Sequence, residues 1–376
     1  MGRVLRTPEG YYAFVPSPPP AKIEYAPALV HSLSRADSAL SELSGLGRLL
    51  PNPHLLIAPY LRREAVLSSR IEGTRASLSD VLADEAGQVP HVPPDDVREV
   101  RNYVVALEYG IQRLQTLPLS LRLVRELHER LMKGVRGNSA TPGEFRRSQN
   151  WIGPPGRTLS TADYVPPPPR EMMQALGEWE KFLHRRGELP DLIHCALMHE
   201  HFEAIHPFLD GNGRVGRLLI TLFLIERGRL TQPLLYLSEF IERERRGYYQ
   251  CLQRIRTHGD WDDWLHYFLD GVNWSARRAA RQAQQLMELR EKMRKKVAGS
   301  PKALLLVDAL FVNPYLSTAR VKALLKVTDP TARAVIAILE RARLVEEVTG
   351  RSWGRQYLAR GVLKAIEDPG EEEKKP

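Results

Sequence analysis

The sequence predicts a mainly α-helical protein: a helical bundle interrupted by one short β-hairpin flap, followed by a C-terminal winged helix-turn-helix module. Three observations carry this. Apolar residues recur at helical spacing through most of residues 27–296. One segment, 134–169, breaks that pattern with Gly, Pro, Asn and Ser. From residue 301 the chain reads helix, helix, turn, helix and then two short β-rich runs. The length of 376 residues suits two or three domains. The expected divisions are an N-terminal helical region (1–115), a core (116–275) with its flap at 145–166, a connector helix (276–300), the winged module (301–365) and a disordered tail (366–376).

Taken in order, residues 1–25 are proline-rich and predict an extended surface arm with no element of its own. Helices are expected at Pro27–Leu50, His54–Ser69, Ser77–Ala83, Val97–Leu114 and Leu119–Lys133. In the irregular segment, Gln149–Gly153 and Thr158–Val165 pair as a hairpin across Gly-Pro-Pro-Gly. A long irregular stretch inside a helical domain usually serves as a lid or binding edge. Helices resume at Pro169–Arg185, Leu189–Ala204, Gly213–Glu226, Leu237–His258 and Trp261–Lys296. The C-terminal module is expected to hold helices at Pro301–Val312, Thr318–Leu325 and Thr331–Ala342, the last capped by Asp329-Pro330. Short strands follow at Leu344–Val348 and Gln356–Leu358.

The net charge of +9 is diffuse and suits a nucleotide or nucleic-acid partner without requiring one. The two cysteines, Cys195 and Cys251, have neither metal nor disulfide spacing, which points to a reduced, cytoplasmic setting. The N-terminus shows no apolar signal region, and the longest apolar run, 218–225, is too short to span a bilayer, so no membrane partner is expected. His194, His199 and His201 have no zinc spacing and read as structural.

The chemistry concentrates in His206-Pro-Phe-Leu-Asp-Gly-Asn-Gly-Arg-Val-Gly-Arg217, immediately before the apolar helix Leu218–Ile225. Arg214 and Arg217 are placed in the first turn, where the helix dipole disfavours cations. An anion on that helix end removes the conflict, held by backbone N–H groups and two guanidinium forks. The stretch therefore reads as a polyphosphate site. Gly211-x-Gly213-x-x-Gly216 matches the dinucleotide fingerprint in the wrong context, with no preceding strand and Thr231 where an acid should stand. No Gly-Lys-Ser/Thr closes a Walker A loop.

The same stretch resembles the signature of the Fic family, HPFx[D/E]GNGRxxR, at every fixed position. The resemblance extends over most of residues 10–275, and Phe145–Gly153 with Tyr164–Pro169 looks like the family's target-docking hairpin. It implies a Fic-type helical bundle that transfers AMP from ATP to a Tyr, Thr or Ser hydroxyl of a target protein, and to itself. It implies His206 as the base, Asp210 as the Mg²⁺ ligand, and Gly211, Asn212, Gly213, Arg214, Val215, Gly216 and Arg217 around the nucleotide. Glycine at 213, where the kinase-like branch has lysine, favours AMP over phosphate transfer. Trp151, Ile152 and Gly153 would dock an extended target segment.

Two further segments fit the resemblance. Ser68-Ser-Arg-Ile-Glu-Gly73 is similar to the family's inhibitory pattern, [S/T]xxxE[G/N], in which Glu72 would neutralise Arg217. Tyr248-Tyr249 resembles the segment beside the adenine, with Tyr248 as the residue that would stack on the base. The winged module admits either DNA, through Thr331, Arg333, Arg351, Trp353 and Arg355, or a protein partner. A second copy of the chain is another candidate partner. Two alternative functions stay open: a nucleotide-sensing transcription regulator, and a net deadenylylase.

Overall fold

The computed structural model describes residues 2–20, 22–49, 54–135, 141–154 and 156–367. The proline-rich arm is more ordered than its composition predicts. Strands β1 (Arg3–Arg6) and β2 (Tyr12–Val15) pair antiparallel, with Arg3 opposite Val15. The arm docks on the flap segment: Phe14 N donates to Val165 O, and the Tyr11 hydroxyl to Gln149 Oε1.

Helices α1 (Pro27–Leu49), α2 (His54–Ile71), α3 (Leu78–Glu85), α4 (Pro94–Arg113) and α5 (Leu121–Leu131) build the first half of the bundle. Ser77 caps α3 through a reciprocal capping box with Asp80. Then α6 (Pro169–Leu183), α7 (Asp191–Ile205) and α8 (Asn212–Glu226) follow. Both α7 and α8 are buried on nearly all sides, which marks core helices. Every residue from Leu192 to Ile205 is buried, as is Arg214–Leu224.

Polar groups inside this core spend their hydrogen-bonding capacity on carbonyls. His194 Nε2 bonds Phe182 O and His199 Nδ1 bonds Gly216 O. Trp179 and Trp264 donate to Met198 O and Ala196 O. The two histidines are thereby structural. Cys195 and Cys251 are both free thiols. No described helix is long and apolar enough to cross a membrane.

The helix expected over Leu237–His258 is two, α9 (Ser238–Arg243) and α10 (Arg245–His258), broken at Glu244 (φ −103°, ψ 32°). Nothing in the local residue types accounts for the break. Helix α11 (Trp261–Lys296) is continuous, but its second half is no bare connector. It lies along α1, and Ala276, Ala279, Ala280, Ala283 and Leu286 are buried.

The C-terminal elements are α12 (Pro301–Val312), β3 (Tyr315–Ser317), α13 (Thr318–Leu325), α14 (Asp329–Arg341), β4 (Glu346–Glu347), β5 (Gln356–Leu358) and α15 (Arg360–Glu367). The strands form an antiparallel sheet in the order β3-β5-β4. Strand β3 and helix α15 were not visible in the hydrophobic pattern. Asp329 is already helical, and Thr328 stands at the N-cap without a side-chain bond to the helix-end amides, so the expected Asp cap is not used. Ile366 and Glu367, expected in a disordered tail, end α15; residues 368–376 lie outside the described residues. Nor do these elements stand apart from the bundle, because α12 and α15 both pack on α2.

Burial acts in opposite directions on the core's ionisable groups. It raises Glu64, Glu200 and Glu203 to about 7. It lowers His128, His194 and His201 to about 4, and His199 and His206 to about 3. The carboxyls' contribution to stability is complete below about pH 4.5 and lost as pH rises through 7. The histidines' contribution is complete above about 6.5 and lost as pH falls toward 4. Between those limits the five histidines outweigh the three carboxyls. The urea midpoint is therefore expected to fall as pH is lowered from 6.5 to 5; a flat or rising midpoint would contradict this balance.

Candidate active site

Helix α7 ends at His206, which adopts a left-handed conformation (φ 50°, ψ 62°) and closes the helix through its N–H to Phe202 O. The turn back into α8 needs a second left-handed residue, Gly211 (φ 78°). A Cβ there would come within 2.9 Å of Met132 Sδ. The loop between them is pinned from inside. Phe208 is buried and stacks on His128 at 3.7 Å. Asn212 Oδ1 accepts from Phe208 N, and Asn212 Nδ2 donates to Phe208 O, both at 2.8 Å.

Three pinning residues were missed in the sequence. His128 Nδ1 accepts from Gly143 N at 2.9 Å, so its proton sits on Nε2, which faces Asp210 O at 3.1 Å. Burial keeps this ring neutral. Buried Arg146 donates to the carbonyls of His206, Ser148 and Pro167, tying the flap to the loop. Asn150 Nδ2 donates to Phe208 O at 2.7 Å. No local pattern marks these residues, because each acts on a partner distant in sequence.

The N-terminus of α8 presents Asn212, Gly213 and Arg214, whose amides have no hydrogen-bond partner among the described residues. A carboxylate already sits there. An added Cβ on Gly213 would collide with Glu72 Oε1 and lie 2.9 Å from Arg217 Nη1. Glu72, just past the end of α2, accepts from Arg217 Nη2 at 2.8 Å. Ser68 holds the same guanidinium twice, through Oγ at 2.7 Å and its carbonyl at 2.9 Å. Burial opposes ionisation of both partners, but their attraction prevails: Glu72 is lowered and Arg217 raised. The Glu72 side chain keeps 33% of its surface exposed, so solvent reaches the pair from one side.

Some expected positions are corrected. The helix starts at Asn212, so Arg217 lies in the second turn. Arg214 does not share an anion with Arg217; it faces Glu99 and Asp210, each at 3.6 Å. The Asn212 amide is turned inward and is spent on the loop. Val215 is buried and its N–H is used by Gly211 O, so it offers nothing to a ligand. Gly216 serves packing: a Cβ there would meet Glu203 Oε1 at 2.5 Å and His199 at 3.3 Å. Tyr248 is buried, with its hydroxyl 2.9 Å from His199 Nε2, and cannot present a stacking face; Tyr249 is the exposed member of the pair.

Among the described residues the flap pairs through one antiparallel bridge, Ile152 to Tyr164, without the two strands expected of a hairpin. Tyr164 is anchored by its hydroxyl to Ala204 O. Trp151 and Gly153 are exposed beside it. Asp210 lies at the mouth with its side chain 49% exposed, and its Oδ1 accepts from Gly211 N. A single hard carboxylate beside an anion site suits Mg²⁺, which takes one or two carboxylates together with phosphates.

A histidine at a helix end, followed by a glycine turn and free helix-end amides beside Arg217, is an arrangement able to take an anion. Residues 30–112 match the Fic/DOC family N-terminal model, and residues 118–224 the Fic/DOC family model. The chain therefore carries the two Fic/DOC family domains. It is 28% identical over 179 residues to protein adenylyltransferase Fic of Drosophila grimshawi, covering 47% of this chain and 33% of that one. The corresponding Drosophila erecta protein is 27% identical over the same length, at 47% and 32% coverage. The match thus spans about a third of the length of these curated relatives. Among solved structures, a Fic family protein from Desulfovibrio desulfuricans G20 superposes with a TM-score of 0.61 at 21% identity, covering 91% of this chain and 98% of that one. Residues 134–508 of Fic-1 from C. elegans give 0.52 at 22% identity, covering 69% and 73%. These likenesses establish the fold.

Proposed function

We propose that the protein is an adenylyltransferase that moves AMP from ATP to a hydroxyl of a target protein, and to itself, and that Glu72 restrains it. The observation that carries this reading is the Glu72 carboxylate over Gly213, on the helix end where phosphate would sit. In the reaction, His206 takes the proton of the acceptor hydroxyl. The oxygen then attacks the α-phosphate, the bond to the β-phosphate breaks, and pyrophosphate leaves with the electron pair. Arg217, freed of Glu72, and the amides of α8 would stabilise that charge. Burial foremost, with Arg146 and Arg256, lowers His206 to about 3, so the ring is neutral and free to accept a proton. Incoming phosphates would raise its basicity. Asp210 would hold Mg²⁺, which supplies charge neutralisation on the phosphates. Exposed Trp151 and Gly153, with the backbone edge at Ile152, are the proposed docking edge for the target.

The test is transfer of label to protein from α-labelled ATP with Mg²⁺. Label arriving instead from γ-labelled ATP would replace adenylylation by phosphorylation. Release of AMP from already modified protein, faster than its attachment, would favour net deadenylylation. Gly213→Ala is expected to weaken binding of a non-hydrolysable ATP analogue about tenfold or more, since the new methyl occupies the anion position. Titration calorimetry reads this, and unchanged affinity would place the phosphates elsewhere.

We further read residues 301–367 as a winged helix-turn-helix module with DNA as its partner. The supporting observation is the loop between β4 and β5. It is flanked by Gly350 and Gly354 at positive φ, and it carries Trp353, 83% exposed, between exposed Arg351 and Arg355. Arg351→Ala with Arg355→Ala is expected to weaken duplex binding and flatten its salt dependence by roughly one phosphate contact per arginine. A gel shift unaffected by both changes, or absent at low salt, would assign the module to a protein partner.

A further inference from the structure

Helix α2 has two attachments. Its last turn carries Ser68 and, just beyond it, Glu72, which together hold Arg217. The same helix packs on α12 and α15. Helix α3, a few residues after Glu72, is held by the residues that follow α12. Asn313 Nδ2 donates to Leu82 O at 2.9 Å, and the hydroxyls of Ser79 and Tyr315 meet at 2.8 Å. Arg62 of α2 is paired with Glu85 of α3 at 2.8 Å. The inhibitory glutamate therefore lies between two elements that the C-terminal module holds.

A polar joint runs through the interior. Glu64, Ser68 and Glu72 fall four residues apart, on one side of α2 and its end. Glu64 is buried and accepts from the Tyr103 and Ser238 hydroxyls at 2.9 and 2.5 Å. Its second oxygen, Oε2, has no partner among the described residues. Glu64 lines a cavity of about 30 Å³ together with Ser275 and Gln282 of α11, whose Oγ and Oε1 are also unpartnered. A polar void of that size holds one or two waters. Gln282 Nε2 donates to the carbonyls of Ala365 and Ile366 at the end of α15. The polar lining of this cavity thus lies between the last helix of the module and Glu64, one turn before Ser68 on α2.

We propose that the C-terminal module sets the occupancy of Glu72 on Arg217. Docked on α2 and α3, it holds the glutamate over the α8 terminus; a partner that draws the module off releases it. Binding of nucleotide and binding of the module's partner are then linked, each changing the other's affinity by the same factor. The proposal rests on the reading of Glu72 as an inhibitor.

Its test is a cycle on the full chain, crossing Asn313→Ala with Tyr315→Phe against Glu72→Gly. Calorimetry with a non-hydrolysable ATP analogue reads affinity, and amide exchange reads residues 68–73 and 313–320. With Glu72 present, loosening the contact is expected to tighten the analogue about fivefold or more and to speed exchange at 68–73. With Glu72→Gly it should add nothing. Equal tightening in both backgrounds would overturn the coupling, as would unchanged affinity when exchange at 313–320 shows the contact loosened. If Glu72→Gly alone fails to tighten the analogue, the inhibitory reading falls and this proposal with it. Should the double variant not fold, Gln282→Ala removes only the bonds to Ala365 and Ile366 and is judged by the same outcomes.

Discussion

Glu72→Gly is expected to raise the rate of AMP transfer about 10- to 100-fold. The estimate follows from one contact. A hydrogen bond to a charged group contributes roughly 1.5–3 kcal/mol, and each 1.4 kcal/mol is a factor of ten. The Glu72–Arg217 bond must be broken before a phosphate can use that guanidinium, and Ser68 remains to hold the arginine in place. Glycine is tolerated, since position 72 lies beyond the α2 terminus at Ile71. Label incorporation from α-labelled ATP, compared with wild type at equal protein concentration, measures the effect. Equal rates would mean that the ion pair does not compete with substrate.

His206→Ala is expected to reduce the same rate by about 10²- to 10⁴-fold, the usual range for a positioned general base. The affinity for a non-hydrolysable ATP analogue should change little, because the helix-end amides and Arg217 remain. Position 206 has a positive φ, which costs alanine roughly 1 kcal/mol or more of backbone strain. A circular-dichroism melt therefore accompanies the assay. Transfer that survives in a folded His206→Ala protein would remove the base assigned to this reaction. Glu72→Gly combined with His206→Ala should be as inactive as His206→Ala alone, since releasing the phosphate site cannot replace a missing base.

The helices of the bundle were legible because their apolar residues follow one period over many turns. The ends of α1, α11 and α12 fall within a residue of their expected limits. The short elements were not. Strands β1 and β2 lie in a proline-rich arm whose pairing depends on docking against the flap, and β3 is three residues long. The flap, with one bridge among its described residues, is held by Arg146 and Tyr164 reaching carbonyls elsewhere, contacts that no local pattern shows.

At the candidate site, residue type and spacing placed His206, Asp210, Gly213 and Arg217 on one loop and helix end, and the resemblance to the Fic inhibitory pattern added Glu72. They could not say which way a side chain turns. Asn212 and Gly216 face the core, and the order of exposure of Tyr248 and Tyr249 depends on a bond to His199 that lies 49 positions away. His128, Arg146 and Asn150 stayed hidden for the same reason. Each is an ordinary residue in its own segment and becomes decisive only when a loop distant in sequence is laid against it.

The burial of α7 and α8 has a consequence for how nucleotide concentration is felt. Both walls of the loop from His206 to Gly211 are core helices, so on the proposed reading little ordering free energy would be spent when ATP arrives. What substrate must displace is a carboxylate on a tether. A tethered competitor acts at a fixed effective concentration, about millimolar for short flexible links. The apparent dissociation constant then equals the intrinsic one divided by the fraction of molecules with Arg217 free. Such a site is graded, not simply off. On the proposed reading it fills as ATP rises through that apparent constant, and any change that lowers the tether's effective concentration shifts the whole response curve without altering a single contact to the nucleotide.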